Sequence, residues 1–221
     1  MDQPPTPAPT PTRKRIRLAP ALRKQLILDA ALGEFSVHGF GATTTEAIAA
    51  RAGLSQAGLY THFKSKDAIL ETLFSEVLTP QWSQWMGENE PFTEGRIDSL
   101  IDHWYARVAD PRFLAVFRLL VAESSRLSDT ARRWREATVV PYLAEQQRIV
   151  DCLVRHGHMQ KNPLSDMFQL ASSPLIYVML MHLFSTGADD SVRLYIERMR
   201  EAHRALFKQF LAVPPDQRRA H

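Results

Sequence analysis

This 221-residue sequence has a single cysteine and no long apolar run. Cys152 cannot form a disulfide within the chain, which is the cysteine usage expected in a reducing cytosol. The longest nearly uncharged apolar run covers residues 174–184 and is too short to cross a bilayer. The N-terminal residues also lack the apolar core of a signal peptide. We therefore expect a cytoplasmic protein with no membrane partner.

Strand patterns and common catalytic signatures are also missing. No stretch shows sustained alternation of apolar and polar residues, whereas after Pro20 apolar residues recur at helical spacing. Neither a glycine-rich phosphate loop nor a serine elbow is present. Asp151, Cys152, His156 and His158 lie close together in sequence, yet they fit no standard metal-ligand spacing. We therefore predict an all-α protein without cofactor or metal, and an enzyme is the alternative from another class.

Breaker residues divide the helical part into about nine predicted helices. Gly39 is expected to end the first of them in a left-handed conformation. Pro141 should bend or interrupt a long helix. We place the later helices at residues 44–52, 55–62, 66–78, 96–109, 112–126, 129–156, 164–184 and 189–211.

Basic charge is concentrated near the N-terminus. Residues 13–66 hold nine Lys/Arg against three Asp/Glu, whereas residues 67–221 hold 18 against 20. Such a segment is typical of a phosphate-binding module, because neutralising phosphates releases condensed counterions. A solvated basic face is the alternative. Residues 1–12 alternate proline with small polar residues, so we expect a disordered arm, and the basic residues at 13–17 are either DNA contacts or part of a solubilising tail.

Residues 43–63 have the spacing of a helix-turn-helix. Thr43 and Glu46 are spaced as a capping box, so a short helix is expected to begin here. Gly53 can take a positive φ in the turn that follows, and Ser55 can cap the second helix. Two short helices joined by so few residues must cross steeply. In that geometry the second helix inserts its N-terminal residues into the major groove.

The second helix carries side chains suited to reading DNA. Gln56 can pair with adenine, while Ala57 and the Thr61 methyl can contact a thymine methyl. Tyr60 and His62 can donate to phosphates, and so can Thr44 and Lys66. A packing role for Tyr60 and an ordinary surface or core role for His62 are the alternatives.

These residues closely resemble the signature of the TetR family of ligand-responsive repressors in type and spacing. The resemblance is carried by Gly39-Phe40-Gly41-Ala42-Thr43-Thr44, Ile48-Ala49, Ala52-Gly53-Leu54-Ser55, Leu59-Tyr60, His62-Phe63 and Ser65-Lys66-Asp67. It implies that Tyr60, His62 and Lys66 contact phosphates and that Gln56, Ala57 and Thr61 lie nearest the bases. Ala57 and Gly58 depart from the family, which often has glycine followed by a hydroxyl or alanine. The full predicted DNA-binding set is Thr43, Thr44, Ser55, Gln56, Ala57, Gly58, Tyr60, Thr61, His62 and Lys66.

The resemblance also implies an effector cavity in the C-terminal part. Residues 117–127 bear a fainter likeness to the C-terminal region of AefR-type regulators. Regulators of this family commonly bind a small molecule among their middle helices. Bulky aromatic and two polar side chains are compatible with such a cavity, although packing in the core is the alternative for each. The predicted pocket residues are Trp82, Trp85, His103, Trp104, Phe113, Phe117, Glu123, Trp134 and Tyr177.

The last two predicted helices have wide apolar faces that suit a homodimer, as the resemblance also implies. Burial within the monomer is the alternative. The predicted interface residues are Met167, Leu170, Pro174, Leu175, Val178, Met181, Met199, Ala202, Leu206 and Phe210.

The whole pattern predicts four segments and one function. The segments are an arm at 1–19, a DNA-binding domain at 20–66, an effector-binding and dimerisation domain at 67–213 and a flexible tail at 214–221. We expect a sequence-specific repressor that a small apolar or amphipathic effector releases from a double-stranded DNA operator. A constitutive or architectural DNA-binding protein is the alternative, and it would have a filled core instead of a cavity.

Overall fold

The computed structural model describes residues 19–79, 90–124, 128–185 and 190–213. Over these residues the secondary structure is helical and contains no strand, so the all-α prediction is confirmed. None of the described helices is long and apolar enough to cross a bilayer. Where the structure describes them, the outer ends of the predicted segments lie within three residues of observed helix ends. The predicted helices 66–78, 129–156 and 164–184 are each divided into two or more observed elements, which the sequence did not predict except for the interruption near Pro141.

Four α-helices and a π-helical turn form the N-terminal part. They are α1 (Pro20–Ala42), α2 (Thr45–Arg51), α3 (Gln56–Tyr60), α4 (Lys66–Leu73) and the π turn Phe74–Leu78. Proline at the first position of α1 fits a helix start, because the missing N–H would have no helical partner there. Gly39 interrupts the helix with a φ of 74°, which confirms the positive φ predicted for it.

Seven further α-helices lie in the described residues after position 90. They are α5 (Glu94–Val108), α6 (Pro111–Glu123), α7 (Ser128–Trp134), α8 (Val140–Arg155), α9 (Pro163–Asp166), α10 (Phe168–Phe184) and α11 (Asp190–Phe210). A π-helical turn, Arg135–Val139, separates α7 from α8. Pro141 follows this turn directly and cannot donate to the helical ladder, so the predicted interruption is confirmed.

The buried side chains form two separate cores. The first core joins α1 to α4 and includes Ile27, Phe35, Ile48, Leu59, Leu70 and Phe74, together with Val116 and Leu119 of α6. The second core lies among α5, α6, α8, α10 and α11 and includes Ile97, Trp104, Phe113, Ile149, Phe168 and Phe207. Val77 and Leu78 pack against both cores. The end of the π turn after α4 is therefore the point where the two cores meet.

The packing of α4 bears on the predicted domain boundary. Ile69, Leu70 and Leu73 are fully buried in the first core, with 0% of their surface exposed. By this packing α4 groups with α1 to α3, whereas the boundary predicted at residue 66 separates α4 from the helices it contacts.

A buried histidine holds α11 inside the second core. His203 donates from Nε2 to the Ala171 carbonyl oxygen at 2.7 Å, and its Nδ1 lies 3.4 Å from the Tyr105 hydroxyl. Its ring also packs edge-on against Phe207, with ring centres 4.7 Å apart. Burial lowers the pKa of His203 to about 4, because the charged ring would lose its hydration. The histidine is therefore neutral in the folded protein near pH 7.

Candidate nucleic-acid interface and internal cavity

The start of α2 is fixed by two neighbouring threonines with different roles. Thr44 caps the helix, and its hydroxyl oxygen accepts from the backbone N–H of Ala47 at 3.2 Å. Thr43 is only 3% exposed and donates to the Gly39 carbonyl oxygen at 2.8 Å. The capping prediction is therefore wrong by one residue, because the Thr43 hydroxyl closes the corner after α1 instead. We remove Thr43 from the expected DNA contacts since its hydroxyl is buried and already bonded.

The turn between α2 and α3 forms as expected. Gly53 has a φ of 68°, which confirms the left-handed position predicted there. Ser55 caps α3, and its hydroxyl accepts from the backbone N–H of Gly58 at 3.1 Å, which confirms that prediction too. Leu59 and Phe63 are buried in the first core, so α3 can present its other sides to solvent.

The exposed side of α3 is held by side chains of α2. Gln56 donates from its amide to the Glu46 carboxylate and, at 3.4 Å, to the Thr45 hydroxyl. The Tyr60 hydroxyl shares a hydrogen bond of 3.2 Å with the same threonine. Gln56 and Tyr60 therefore reach solvent in orientations that α2 supports. Sequence reasoning missed Thr45 and Glu46 in this role, because their spacing shows the helix start and not the neighbour across the turn.

Four further predicted contacts lie along the same surface. Ala57 is exposed, and Thr61 is exposed with its hydroxyl donating to the Gly58 carbonyl oxygen at 2.7 Å. The Thr61 hydroxyl is thus satisfied within α3, which leaves the methyl group as its free contact. His62 and Gly58 are half-buried.

Glu46 adds a negative charge to this surface. A hydrogen bond from its own backbone N–H lowers the pKa of Glu46 most, and bonds from Thr44, Gln56 and Thr45 lower it further. The carboxylate is therefore ionised at neutral pH. A carboxylate can accept from the amino group of cytosine, so Glu46 belongs with the candidate base contacts.

Lys66 has internal partners in place of the expected solvent-facing position. Its ammonium donates to the carbonyl oxygens of Phe40 at 2.6 Å and Thr43 at 2.7 Å. It also lies 4.4 Å from the centre of the Phe40 ring. The carbonyls at a helix end lack helical donors, and a lysine ammonium satisfies them well. Lys66 thus ties the start of α4 to the corner between α1 and α2.

A cavity of about 190 Å³ opens in the second core beside the π turn after α4. Two of the predicted pocket residues, Trp104 and Phe113, line it. The full lining is Leu78, Trp104, Arg107, Val108, Phe113, Tyr142, Gln146, Ser172, Leu175, Ile176 and Met179. Trp82 and Trp85 lie outside the described residues.

Five other predicted pocket residues occupy different places. Phe117 is half-buried against the second core but does not line the cavity. The Trp134 ring packs 5.5 Å from that of Phe74, beside the first core. Glu123 is buried near the α1 end, where its carboxylate accepts from the backbone N–H of Phe40 at 3.4 Å.

The last two of these five lie on α5 and α10. His103 is half-buried outside the cavity, and burial, followed by the charge of Arg107, lowers its pKa. Tyr177 is exposed and packs on Tyr195, with ring centres 5.9 Å apart. We remove it from the pocket set because α10 turns this side chain away from the second core.

Sequence reasoning missed the polar residues of the cavity. The Arg107 guanidinium donates from Nη2 to the carbonyl oxygens of Val77 at 2.6 Å and Thr79 at 2.9 Å. Gln146 is 2% exposed and donates to the Tyr142 hydroxyl at 3.3 Å. Helical periodicity could not find these three residues, since a long polar side chain on a partly apolar helix usually faces water.

Unsatisfied polar atoms remain at this cavity. Arg107 Nε and Gln146 Oε1 are both buried and have no hydrogen-bond partner among the described residues. Burial lowers the pKa of Arg107 and raises that of Tyr142. Leaving such atoms without partners costs free energy, so a polar ligand group would be favoured beside them.

The predicted dimer residues are distributed between an exposed face and the core. Met167, Leu170, Ala202 and Phe210 are exposed, and Pro174, Leu175, Met181, Met199 and Leu206 are half-buried. Val178 is 1% exposed and packs within the second core, so we remove it from the expected interface. The exposed apolar face of α10 and α11 also contains residues outside the prediction, namely Ile176, Tyr177, Phe184, Leu194 and Tyr195.

The sequence cluster around Cys152 does not gather metal ligands. His156 Nδ1 lies 2.8 Å from the Cys152 carbonyl oxygen and 3.5 Å from its sulfur. Across the described ranges, no three His, Cys, Asp or Glu side chains come together in a way that could hold a metal ion.

The N-terminal part of the chain has recognisable relatives. Residues 27–73 match the profile of bacterial regulatory proteins of the tetR family. The HTH-type transcriptional regulator RutR of Escherichia coli (strain K12) is 37% identical over 83 residues, which cover 38% of this chain and 37% of RutR. The HTH-type regulator YhgD of Bacillus subtilis (strain 168) is 38% identical over 56 residues, which cover 25% of this chain and 29% of YhgD. The match to these relatives therefore spans well under half of their length.

The fold as a whole is similar to solved structures. A TetR family transcriptional regulator from Pseudomonas syringae pv. tomato str. DC3000 superposes with a TM-score of 0.62 at 16% identity. The superposition covers 87% of this chain and 98% of that protein. The likeness therefore extends over both cores, although at this identity it concerns the fold alone.

Proposed function

We propose, on the premise that this chain is a TetR-family regulator with a helix-turn-helix domain, that it represses transcription from a double-stranded operator. A small apolar or amphipathic effector would release it. The observation that carries the proposal is the exposed side of α3, which α2 supports through Thr45 and Glu46. Side chains held in place before binding lose less conformational entropy on the DNA.

We assign base reading and phosphate binding to different side chains. Gln56 is the main base reader, with Ala57, the Thr61 methyl and Glu46 beside it. Thr44, Ser55, Tyr60 and His62 lie near the helix starts and the exposed side of α3, where hydroxyl, ring and backbone donors suit phosphates. Gly58 contributes only its backbone.

The cavity beside Trp104 and Phe113 supports the effector part of the proposal. Its lining is mainly apolar with a few polar groups, which is the composition of small-molecule sites. Leu78 lines the cavity and also packs against the first core, so occupancy can change how α4 sits on the second core. An effector acts only through such a difference in affinity between two arrangements.

A homodimer through α10 and α11 completes the proposal. Exposed apolar residues such as Leu170, Phe184, Leu194 and Phe210 leave a surface that a second copy can cover. Two identical heads would then read two half-sites about one helical turn apart, or a multiple of it. Sedimentation without DNA should give about twice the chain mass, and a monomer at micromolar concentration would contradict the dimer.

The direct test of DNA reading is a selection of bound DNA from a random pool, followed by titration of site variants. Gln56→Ala should change the preferred base at one position, by roughly 1 to 3 kcal/mol if its pair with adenine is bidentate. Gln25→Ala is the matched control, because Gln25 lies on α1 and donates to Asp29 at 3.1 Å. Equal losses on every sequence with Gln56→Ala would remove Gln56 from the base readers.

A further inference from the structure

The cavity in the second core contains an arginine, Arg107, that forms no ion pair with a carboxylate in the part of the chain that the structure describes. We propose that it binds a small organic acid, whose carboxylate accepts from Arg107 and whose apolar body lies against Trp104 and Phe113. The proposal rests on the effector function above and names its chemistry. It also assigns Arg107 as the side chain through which the ligand acts on the segment after α4.

The charge at the cavity selects an anion. Arg107 is half-buried and its described hydrogen bonds go to two backbone carbonyls, those of Val77 and Thr79. Within the described ranges, Arg107 forms no ion pair with a carboxylate, although the charge of Asp110 acts on it from a greater distance. Asp110, one turn away, uses its carboxylate to cap α6 at the Phe113 N–H, 2.9 Å away. Its guanidinium also lies 5.5 Å from the centre of the Phe113 ring. A desolvated cation whose hydrogen bonds go only to carbonyls still gains from an ionised acceptor.

Unpartnered polar atoms support a head group at this end of the cavity. Arg107 Nε can donate one further hydrogen bond, and it has no acceptor within the described structure. Gln146 is almost fully buried, lines the same cavity and leaves its Oε1 without a donor. The Tyr142 hydroxyl, which accepts from Gln146, still has its own hydrogen to give. Two donors and one acceptor thus line the cavity, which suits a carboxylate with a bound water.

The remaining lining and the volume limit the body of the ligand. Trp104, Phe113, Leu175, Ile176 and Met179 are apolar. A cavity of about 150 Å³ holds benzene in an engineered protein interior. The cavity here, at about 190 Å³, therefore fits a benzene-sized ring with one carboxylate attached, or a short alkyl chain.

The position of Arg107 couples this site to the DNA-binding part. The two carbonyls it binds belong to the end of the π turn and the residue after it, and Val77 packs against both cores. A ligand carboxylate competes with these carbonyls for the guanidinium. Binding therefore weakens the attachment of the segment that continues α4, whose first residue, Lys66, holds the corner before α2. A difference in ligand affinity between the attached and released states is what coupling requires.

Calorimetric titration of the full chain at pH 7.5 with benzoate, benzyl alcohol and benzylamine tests whether the cavity prefers a ligand with a carboxylate. Benzoate should bind at least tenfold more tightly than benzyl alcohol, and benzylamine should not bind, because only the carboxylate pairs with Arg107. Arg107→Met should reduce benzoate affinity at least tenfold and leave benzyl alcohol unchanged, as expected when a charge-assisted hydrogen bond is removed. Equal binding of benzoate and benzyl alcohol, or no binding of benzoate, would overturn the proposal.

Two further variants keep the test decisive if Arg107→Met unfolds. Gln146→Leu removes the second polar group and should weaken benzoate binding without removing the charge, whereas Arg107→Lys should retain a measurable preference for benzoate over benzyl alcohol. Arg155→Met is the matched control, because Arg155 is exposed at the end of α8 and donates to the Asp151 carbonyl oxygen. Benzoate binding that Gln146→Leu leaves unchanged, or a loss of the benzoate preference in Arg107→Lys, would overturn the assignment of the head group.

Operator titration with and without benzoate separates this inference from the proposed function. Wild type should lose operator affinity in benzoate, and Arg107→Met should not respond. If the operator affinity of wild type is the same with and without benzoate, the proposal of an organic acid ligand is contradicted, whereas the proposed DNA regulation is not. A protein that binds no selected DNA in the absence of ligand contradicts the proposed function itself.

Discussion

The two cores of this protein differ in what their polar groups do. In the first core, Thr43, Thr44, Ser55 and Lys66 each bond the backbone group that a helix end leaves free. In the second core, Arg107 Nε and Gln146 Oε1 border a cavity without partners, and His203 is buried as a neutral ring. The polar groups of the first core therefore fix helix ends, whereas two of those in the second core border the cavity that we propose as the ligand site.

The packing of the two cores can be compared by removing one ring from each. Phe35→Ala in the first core and Phe207→Ala in the second should each destabilise the fold by about 3 to 5 kcal/mol. Both side chains are almost fully buried, and Phe207 contacts the Trp104 and Phe168 rings. Denaturant unfolding measures the loss, with the exposed Val37→Ala as the control, for which the change should be small.

The ring comparison can fail in an informative way. If the cavity is the sign of a loosely packed second core, Phe207→Ala will cost clearly less than Phe35→Ala. Equal costs would restrict the looseness to the lining of the cavity.

The next prediction places a pH dependence in the second core alone. His203 has its pKa lowered to about 4 from an ordinary value of 6.5, so the unfolded chain binds its proton first as pH falls. Its contribution is fully present above pH 6.5 and is lost as pH falls from about 6.5 to 4. That shift corresponds to about 3 kcal/mol at most. Unfolding free energies measured between pH 7.5 and 4 should fall more steeply for wild type than for His203→Gln.

A variant far from His203 gives the control for this pH dependence. Val37→Ala, at an exposed position of α1, should leave the slope of stability against pH as it is in wild type. Equal slopes of unfolding free energy against pH for wild type and His203→Gln would show that His203 is not the titrating group. The pH dependence would then not distinguish the two cores.

Lys66 tests whether the first core uses its lysine for structure or for DNA. Lys66→Met removes two hydrogen bonds to the carbonyl oxygens of Phe40 and Thr43, and should destabilise the fold by about 1 to 3 kcal/mol. Lys64→Met is the matched control, since Lys64 is exposed and should affect only the salt dependence of DNA binding. Unchanged stability with Lys66→Met would return Lys66 to the phosphate contacts predicted from its motif.

The smallest effect concerns two glycines whose surroundings are equally open. A Cβ added at Gly53 or Gly95 would meet no atom within 4 Å. Gly53→Ala should destabilise the fold by about 1 kcal/mol, because its φ is 68°. Gly95→Ala, inside α5, should be neutral or stabilising by up to about 1 kcal/mol. Thermal unfolding of both variants tests this prediction. Equal shifts in melting temperature would mean that the backbone of the turn can adjust to an alanine at residue 53.

The helices and their ends could be predicted because their causes lie within a few residues. Gly39, Gly53, Ser55 and Pro141 act on the backbone next to them, and each has the predicted effect. The cap of α2 was misplaced because Thr43 and Thr44 are both able to cap. The choice between them depends on the Gly39 carbonyl, to which Thr43 is bonded across the corner.

The candidate pocket could be predicted only in part. Trp104 and Phe113 were found because bulky aromatics on apolar helix faces commonly line cavities. Tyr177 and Val178 were assigned to opposite places, the pocket and the interface, and the structure reverses them: Tyr177 is exposed and Val178 is buried. Adjacent residues on a helix differ in direction by about 100°, so a small error in the orientation of α10 exchanges them.

The sequence by itself determined the helical class, the helix-turn-helix and the family resemblance, since each follows from residues close together in the chain. Tertiary structure alone decided that Lys66 bonds the end of α1 and that Arg107 and Gln146 meet at one cavity. Arg107 on α5 and Gln146 on α8 lie far apart in the chain, and no periodicity relates them. Their meeting depends on how α5, α8 and α10 pack, which is a property of the whole second core.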